Sequence, residues 1–138
     1  MAQLNDPEVI RRLLTEKGRW AVVGLSGNPL RPALGVAEFL QGKLGMEIIP
    51  VSLRGDDVHG AKGYKTLAEV PGEIDVVDCF VNSQRVGAVV DQAIAVGAKA
   101  VWLQLGVIDE AAAARAQAAG LDVVMNRCPA IEAPRLAV

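Results

Sequence analysis

The chain has 138 residues, enough for a single domain (1–138) that buries roughly two thirds of its surface. Half of it is apolar (51%) and 22% is charged, which is globular rather than disordered. With 14 Lys and Arg against 16 Asp and Glu, a net charge of −2 and 4% aromatic residues, it carries neither a basic footprint for nucleic acid nor a stacking platform for single strands.

Taken in chain order, Val9, Ile10, Leu13 and Leu14 recur at helical spacing behind Pro7, a residue suited to a first helical turn. Asp6, Glu8, Arg11 and Arg12 interrupt this segment, so it does not read as a signal peptide. No uncharged apolar run approaches the roughly 18 residues of a membrane span, and the expected compartment is the cytoplasm. WAVVGL (20–25) predicts the first strand. GLSGNPLRP (24–32) follows it and leads into a helical face of Ala33, Val36, Ala37, Leu40 and Leu44. MEIIPV (46–51) predicts the second strand. A mostly irregular link then runs over 52–73, with one helical signal, the capping-box pattern TLAE at 66–69. A link of that length in a compact domain is uncommon and often functional. IDVVDCF (74–80) predicts strand three, and Val86, Val89, Val90, Ala93 and Ile94 a helix that Gly97 ends. AVWLQL (100–105) predicts strand four. DEAAAARAQAAG then gives a helix with acids at its start and Gly120 at its end, and LDVVM (121–125) the fifth strand.

These strands are near-continuously apolar, as strands covered on both faces are, and helical patterns separate most of them. The expected fold is α/β: a Rossmann-like, doubly wound parallel sheet of five strands, order 3-2-1-4-5, with helices on both faces. Ligands in such folds bind beyond the carboxyl ends of the strands, which selects the segments 24–32, 51–56, 80–83, 104–108 and 126–129.

In the first of these, Gly24 permits a sharp turn. Ser26 and Gly27 let a ligand approach the backbone, the N–H groups of 26–28 can face a phosphate, and Asn28 and Arg31 add donors and charge. Pro29 and Pro32 remove two N–H groups, and the stretch is also compatible with an ordinary turn. Strand two ends in Val51, Ser52, Leu53 and Arg54, without the acid that holds a free ribose diol in NAD sites. A hydroxyl and a guanidinium there suit a phosphorylated ribose, which admits coenzyme A (3′-phosphate) and NADP (2′-phosphate); Arg54 reads equally as a solvated surface residue. Phe80, Val81 and Asn82 can flank a ring, although a place in the core is the commoner fate of a Phe. Gln104, in an apolar strand, needs a partner that a ligand or the backbone can supply, and Gly106 follows it. Cys79 and Cys128 form no C-x-x-C and read as buried, inert thiols, while His59 is the sole histidine available to a catalytic cysteine. No metal-ligand spacing and no catalytic triad is present, so no catalytic residue is assigned and a binding role is favoured over an enzymatic one. Glu132 and Arg135 read as pairing or capping rather than catalytic.

AVVGLSGNPLRP, IIPV with the later HGAKGYKTLAEVP, IDVVDCFV, AVWLQLGV and VVMNRCPAIEAPRL together resemble the small single-domain CoA-binding proteins, which are related to the N-terminal domain of the succinyl-CoA synthetase α-subunit. The resemblance covers about residues 5–136. It implies coenzyme A or an acyl-CoA as ligand, with Gly24, Leu25, Ser26, Asn28 and Arg31 on the phosphates. Val51, Ser52, Leu53 and Arg54 would lie along the adenosine, Phe80, Val81 and Asn82 would close the other side, and Gln104 and Gly106 would lie nearby. The chain departs from the family pattern in two places: PVSL stands where PVNP is common, and Asn126 where Asp is common. Alternatives from other classes are an NADP-binding oxidoreductase or redox sensor, and a protein-interaction subunit without a ligand. A protein partner or a homodimer is compatible with all three.

Overall fold

The computed structural model describes residues 4–138. Five strands, β1 (Arg19–Val23), β2 (Glu47–Val51), β3 (Val76–Cys79), β4 (Ala100–Leu103) and β5 (Asp122–Met125), form one parallel sheet. Residues alternate between its two faces, as the pleat requires. Trp20, Val22, Ile48, Val76, Ala100, Trp102 and Val124 face one layer, and Ala21, Ile49, Val77, Cys79, Val101, Leu103 and Val123 the other. Both faces are covered, which is why the strands read as unbroken apolar runs.

The first layer holds α1 (Pro7–Thr15), α2 (Pro32–Glu38) with its continuation into a π turn at Phe39–Lys43, and α5 (Pro129–Arg135). The second holds α3 (Val86–Ala95), α4 (Glu110–Ala118) and a 3-10 turn at Leu67–Glu69. Helix α1 starts as its sequence predicts: the Asp6 carboxylate accepts from the Glu8 N–H at 2.9 Å, with Pro7 in the first turn. Asp109 caps α4 in the same way, accepting from Ala112 N–H at 3.0 Å. Trp20 and Trp102 pack with ring centroids 5.6 Å apart.

The strand order corrects the sequence expectation. It is β2-β1-β3-β4-β5, not 3-2-1-4-5. β3 pairs with β1 on the side away from β2, so the chain between β2 and β3 must cross over β1. That displacement is about 10 Å across the sheet, two inter-strand spacings. The irregular 52–73 segment makes this crossing, while the helix-containing links join adjacent strands. On its way it folds back on the sheet edge: Tyr64 N–H donates to Pro50 O at 2.9 Å and Ser52 N–H to Tyr64 O at 3.1 Å. Pro50 lacks an N–H, which suits it to this edge strand. In TLAE, Thr66 and Glu69 do meet, but the hydroxyl donates to the carboxylate at 3.0 Å rather than capping the backbone.

Candidate functional site

The strand order reverses between β1 and β3, so the loops that follow them part and leave a crevice at the carboxyl end of the sheet. Gly24 sits at its base with φ +95, and a Cβ there would lie 2.6 Å from the Phe80 carbonyl oxygen. Only glycine fits that approach. Its N–H donates to Val51 O at 2.7 Å, and Phe80 N–H donates to Val23 O at 2.8 Å, so the ends of β2, β1 and β3 are tied together.

The loop above Gly24 is braced by its own polar groups. Asn28 N–H donates to Ser26 Oγ at 3.4 Å, Leu30 N–H to Asn28 Oδ1 at 2.9 Å, and Arg31 N–H to Asn28 O at 3.1 Å. The expected donor set 26–28 is therefore shifted. Among the described residues, the N–H groups of Leu25, Ser26 and Gly27 have no partner, while that of Asn28 is engaged. Leu25 is wholly buried, backbone included, so its N–H is not open to a ligand and the accessible donors are those of Ser26 and Gly27. Arg31 is exposed and makes no ion pair within the described chain.

Beside this loop lies a cavity of about 380 Å³, within the usual size range of ligand sites. Gly24 and Phe80 form its base, and Arg31, Pro32, Ala33 and Val36 its α2 wall. Val81 and Asn82, then Gln104, Leu105 and Val107, line it from the ends of β3 and β4. Cys128 and Ile131 close it from α5. Gln104 is 5% exposed, and its Oε1 has no hydrogen-bond partner. One strand over on the same sheet face, Asp78 is wholly buried with both carboxylate oxygens unpartnered. Burial alone drives its carboxyl well above the usual range. The neighbouring Cys79 thiol is raised by its own burial and, secondarily, by Asp78.

The other expected positions divide. Val51 is buried against the α3 layer, away from the cavity. Ser52 Oγ accepts from Gly55 N–H at 3.1 Å and so shapes the turn after β2. Leu53 and Arg54 project outward, Arg54 at 3.6 Å from Asp56. This group borders the Gly24 loop without lining the cavity. Asn82 accepts from Arg85 N–H at 3.0 Å and starts α3. Gly106, φ +84, donates its N–H to Asn126 Oδ1 at 2.7 Å, so Asn126, itself at φ 60, ties the β5 loop to the β4 loop. An Asp at 126 would accept the same bond, so this departure from the family pattern leaves the geometry intact.

Several features escape a sequence reading. Asp78 was detectable as an acid inside an apolar run; Ala33 and Val36 of the α2 wall and Ile131 were not, because only the tertiary fold brings them to the strand ends. Cys128 is half-buried and lines the cavity, unlike Cys79 and unlike the expectation for both. His59 does not meet it; its Nε2 bonds the Leu34 carbonyl at 3.1 Å. Glu132 and Arg135 do pair, at 3.7 Å. The exposed large apolar side chains of the described chain, Leu30, Leu53, Leu105, Ile108 and Ile131, all stand at this end of the sheet. Among the described residues no helix is long and apolar enough to cross a membrane.

The family described as CoA binding domain matches residues 18–134, and the chain belongs to it. It is 34% identical to the Bacillus subtilis protein YneT over 86% of this chain and 87% of that one. A solved structure of a hypothetical protein from Pyrococcus horikoshii superposes with a TM-score of 0.90 at 35% identity, covering 100% of this chain and 99% of the other. A shorter stretch, 41% of this chain, is 38% identical to 12% of the alpha subunit of an ADP-forming acetate–CoA ligase from Pyrococcus furiosus.

Proposed function

We propose that this member of the CoA binding domain family is a binding module that holds coenzyme A, free or acylated, across the carboxyl ends of its strands. The crevice carries the reading: a ligand-sized cavity opens beside two accessible, unpartnered backbone N–H groups and an unpaired arginine. The N–H groups of Ser26 and Gly27 and the Arg31 guanidinium would take the pyrophosphate, with Gly24 and Leu25 setting the turn, since a glycine turn leading into a helix favours anions. Ser26 and Asn28 keep a hydroxyl proton and an amide NH₂ for the same oxygens. Towards β2, the outward Leu53 offers an apolar face to the adenine and Arg54 a cation to the 3′-phosphate. The Arg54–Asp56 contact is exposed and of the kind worth about 0–1 kcal/mol, so a phosphate displaces it at little cost. Phe80, Val81 and Asn82 bound the ligand on the β3 side, with Gln104 and Gly106 beyond.

Thermal unfolding with CoA, acetyl-CoA, NADP and NAD added separately tests this. A ligand at 100 times its Kd stabilises by about 2.7 kcal/mol, a shift on the order of 10 °C for a domain of this length. The expected result is a shift with the CoA species and none with NAD. No shift with either CoA species near millimolar concentration sinks the proposal, and a shift with NADP alone replaces it.

A further inference from the structure

We infer that Asp78 is a positioning residue of the site: as a neutral acid it donates its proton to Gln104 Oε1, and so turns the Gln104 amide to present its NH₂, a donor, to the cavity. The geometry of the pair stands on its own, and its effect on affinity rests on the coenzyme A reading above. Asp78 lies one row beneath the cavity floor. It is in register with Val22 of β1 and Trp102 of β4, and the residues two places further on, Gly24, Phe80 and Gln104, all line the cavity. Asp78 and Gln104 are thus diagonal neighbours on one face of adjacent strands. Their Cα atoms are about 8 Å apart, a span that an acid and a longer amide side chain can bridge.

Among the described residues, three sealed side-chain polar atoms lack a partner: both oxygens of Asp78, and Gln104 Oε1. All three are acceptors when the acid is ionised, so nothing joins them. A protonated acid supplies the missing donor, and its O–H has the Gln104 carbonyl in the next row. The Trp102 indole N–H beside it is already given to Arg127 O at 2.9 Å. Gln104 Nε2 also makes no hydrogen bond but is not among the sealed atoms, so the NH₂ end of the amide is the one that meets the cavity. Burial keeps Asp78 protonated. The charged groups of the elements on this face do not oppose that. Glu8, Arg11 and Arg12 of α1, Glu38 of α2 and Lys43 of the π turn are exposed, and buried Glu132 of α5 pairs with Arg135 at 3.7 Å. His59 of the crossing segment is bonded to Leu34 O, Cys128 stands at the start of α5, and Cys79 faces the other layer. An ionised Asp78 would instead draw the NH₂ inward and leave a carbonyl facing the ligand.

The test is a double-mutant cycle on CoA affinity, by titration calorimetry at neutral pH, with Asp78→Val, Gln104→Met and the two together. Each single change removes the oriented donor and should weaken CoA about fivefold, the worth of one hydrogen bond. The double variant should lose no more than either single one, because Asp78 acts only through Gln104. No loss in the single variants, or losses that multiply in the double, overturns the inference. A second measurement needs neither a variant nor a ligand: nuclear magnetic resonance of the wild type labelled with ¹³C-aspartate and ¹⁵N-glutamine. At neutral pH the Asp78 carboxyl carbon should resonate as a neutral acid, and the Gln104 NH₂ should exchange with water. An ionised Asp78, or an NH₂ protected from exchange, overturns the pairing. If CoA binds none of the proteins, the coenzyme A reading fails and the second measurement alone decides the pairing.

Discussion

Asp78→Asn should change the pH dependence of stability more than any other single substitution in the chain. Asp78 lies in the central strand β3, in register with Val22 on one side and Trp102 on the other, wholly buried and without a hydrogen bond to either oxygen. Desolvation favours the neutral acid, so its native pKa stands well above the value of about 3.9 in the unfolded chain. Between those two values the native state holds a proton that the unfolded state has released. Stability therefore falls as pH rises, by up to about 1.4 kcal/mol per pH unit, from about pH 4 to the native pKa. Against a typical total of about 5–15 kcal/mol, that slope is large. An asparagine keeps the shape and does not titrate. Its unpaired NH₂ costs about 1–3 kcal/mol, but that cost is the same at every pH. Urea unfolding of both proteins at half-unit steps from pH 4.5 upward isolates the difference, because every other titrating group cancels. The variant should gain on wild type steadily with pH, by up to about 1.4 kcal/mol per unit. Parallel stability profiles would refute the reasoning, since they require Asp78 to be ionised, and hence partnered, in the native protein.

Three further outcomes follow from the site. Gly24→Ala puts a methyl 2.6 Å from the Phe80 carbonyl at φ +95, so it should cost about 2–4 kcal/mol in denaturant unfolding and abolish the CoA-dependent thermal shift. Arg31→Gln should leave unfolding within about 0.5 kcal/mol of wild type, because the side chain has no ion pair to lose, yet weaken CoA about tenfold by calorimetry and flatten its salt dependence. Asn126→Asp should match wild type in stability, whereas Asn126→Ala, which leaves the Gly106 N–H unpaired and keeps the strained backbone, should lose about 1–3 kcal/mol.

The strands and helices α1 to α4 were legible because both sheet faces are covered and the links of α2, α3 and α4 each carry a helical periodicity; α5, seven residues with Pro134 inside, is too short to show one and was not read. The order was misread. An order of 3-2-1-4-5 requires the long jump between strands three and four, whose link carries the 10-residue helix α3. The order found, β2-β1-β3-β4-β5, requires it between strands two and three, where the sequence has its longest irregular stretch. Link length does not separate the two, since residues 24–46 join the adjacent β1 and β2 while residues 52–75, of nearly equal length, cross over β1. Of the site residues offered by the sequence, the fold brings Gly24, Arg31, Phe80, Val81, Asn82 and Gln104 to one cavity. Roles were harder, since Ser52 and Asn82 prove to brace turns, and the α2 wall, Ile131 and the exposure of Cys128 depend on packing that no local pattern reports.

That division between bracing and binding has a consequence for affinity. At the strand ends, Asn28, Ser52, Asn82, Ser83 and Asn126 each direct a side-chain oxygen at a nearby backbone N–H: Leu30, Gly55, Arg85, Ile108 and Gly106 in turn. The loops are therefore held in shape before any ligand arrives, and association need not bear the cost of ordering them. Among the groups they leave open are the N–H groups of Ser26 and Gly27 and the Arg31 guanidinium, beside a cavity walled by Val36, Phe80, Val107 and Ile131. On the proposed reading, the pyrophosphate of coenzyme A would take those donors and its arm the apolar wall. One covalent frame would carry both, so each part is reached without a second loss of translational freedom. Adenosine 3′-phosphate 5′-diphosphate and pantetheine, added together as separate molecules, should accordingly protect the fold far less than CoA at the same concentration.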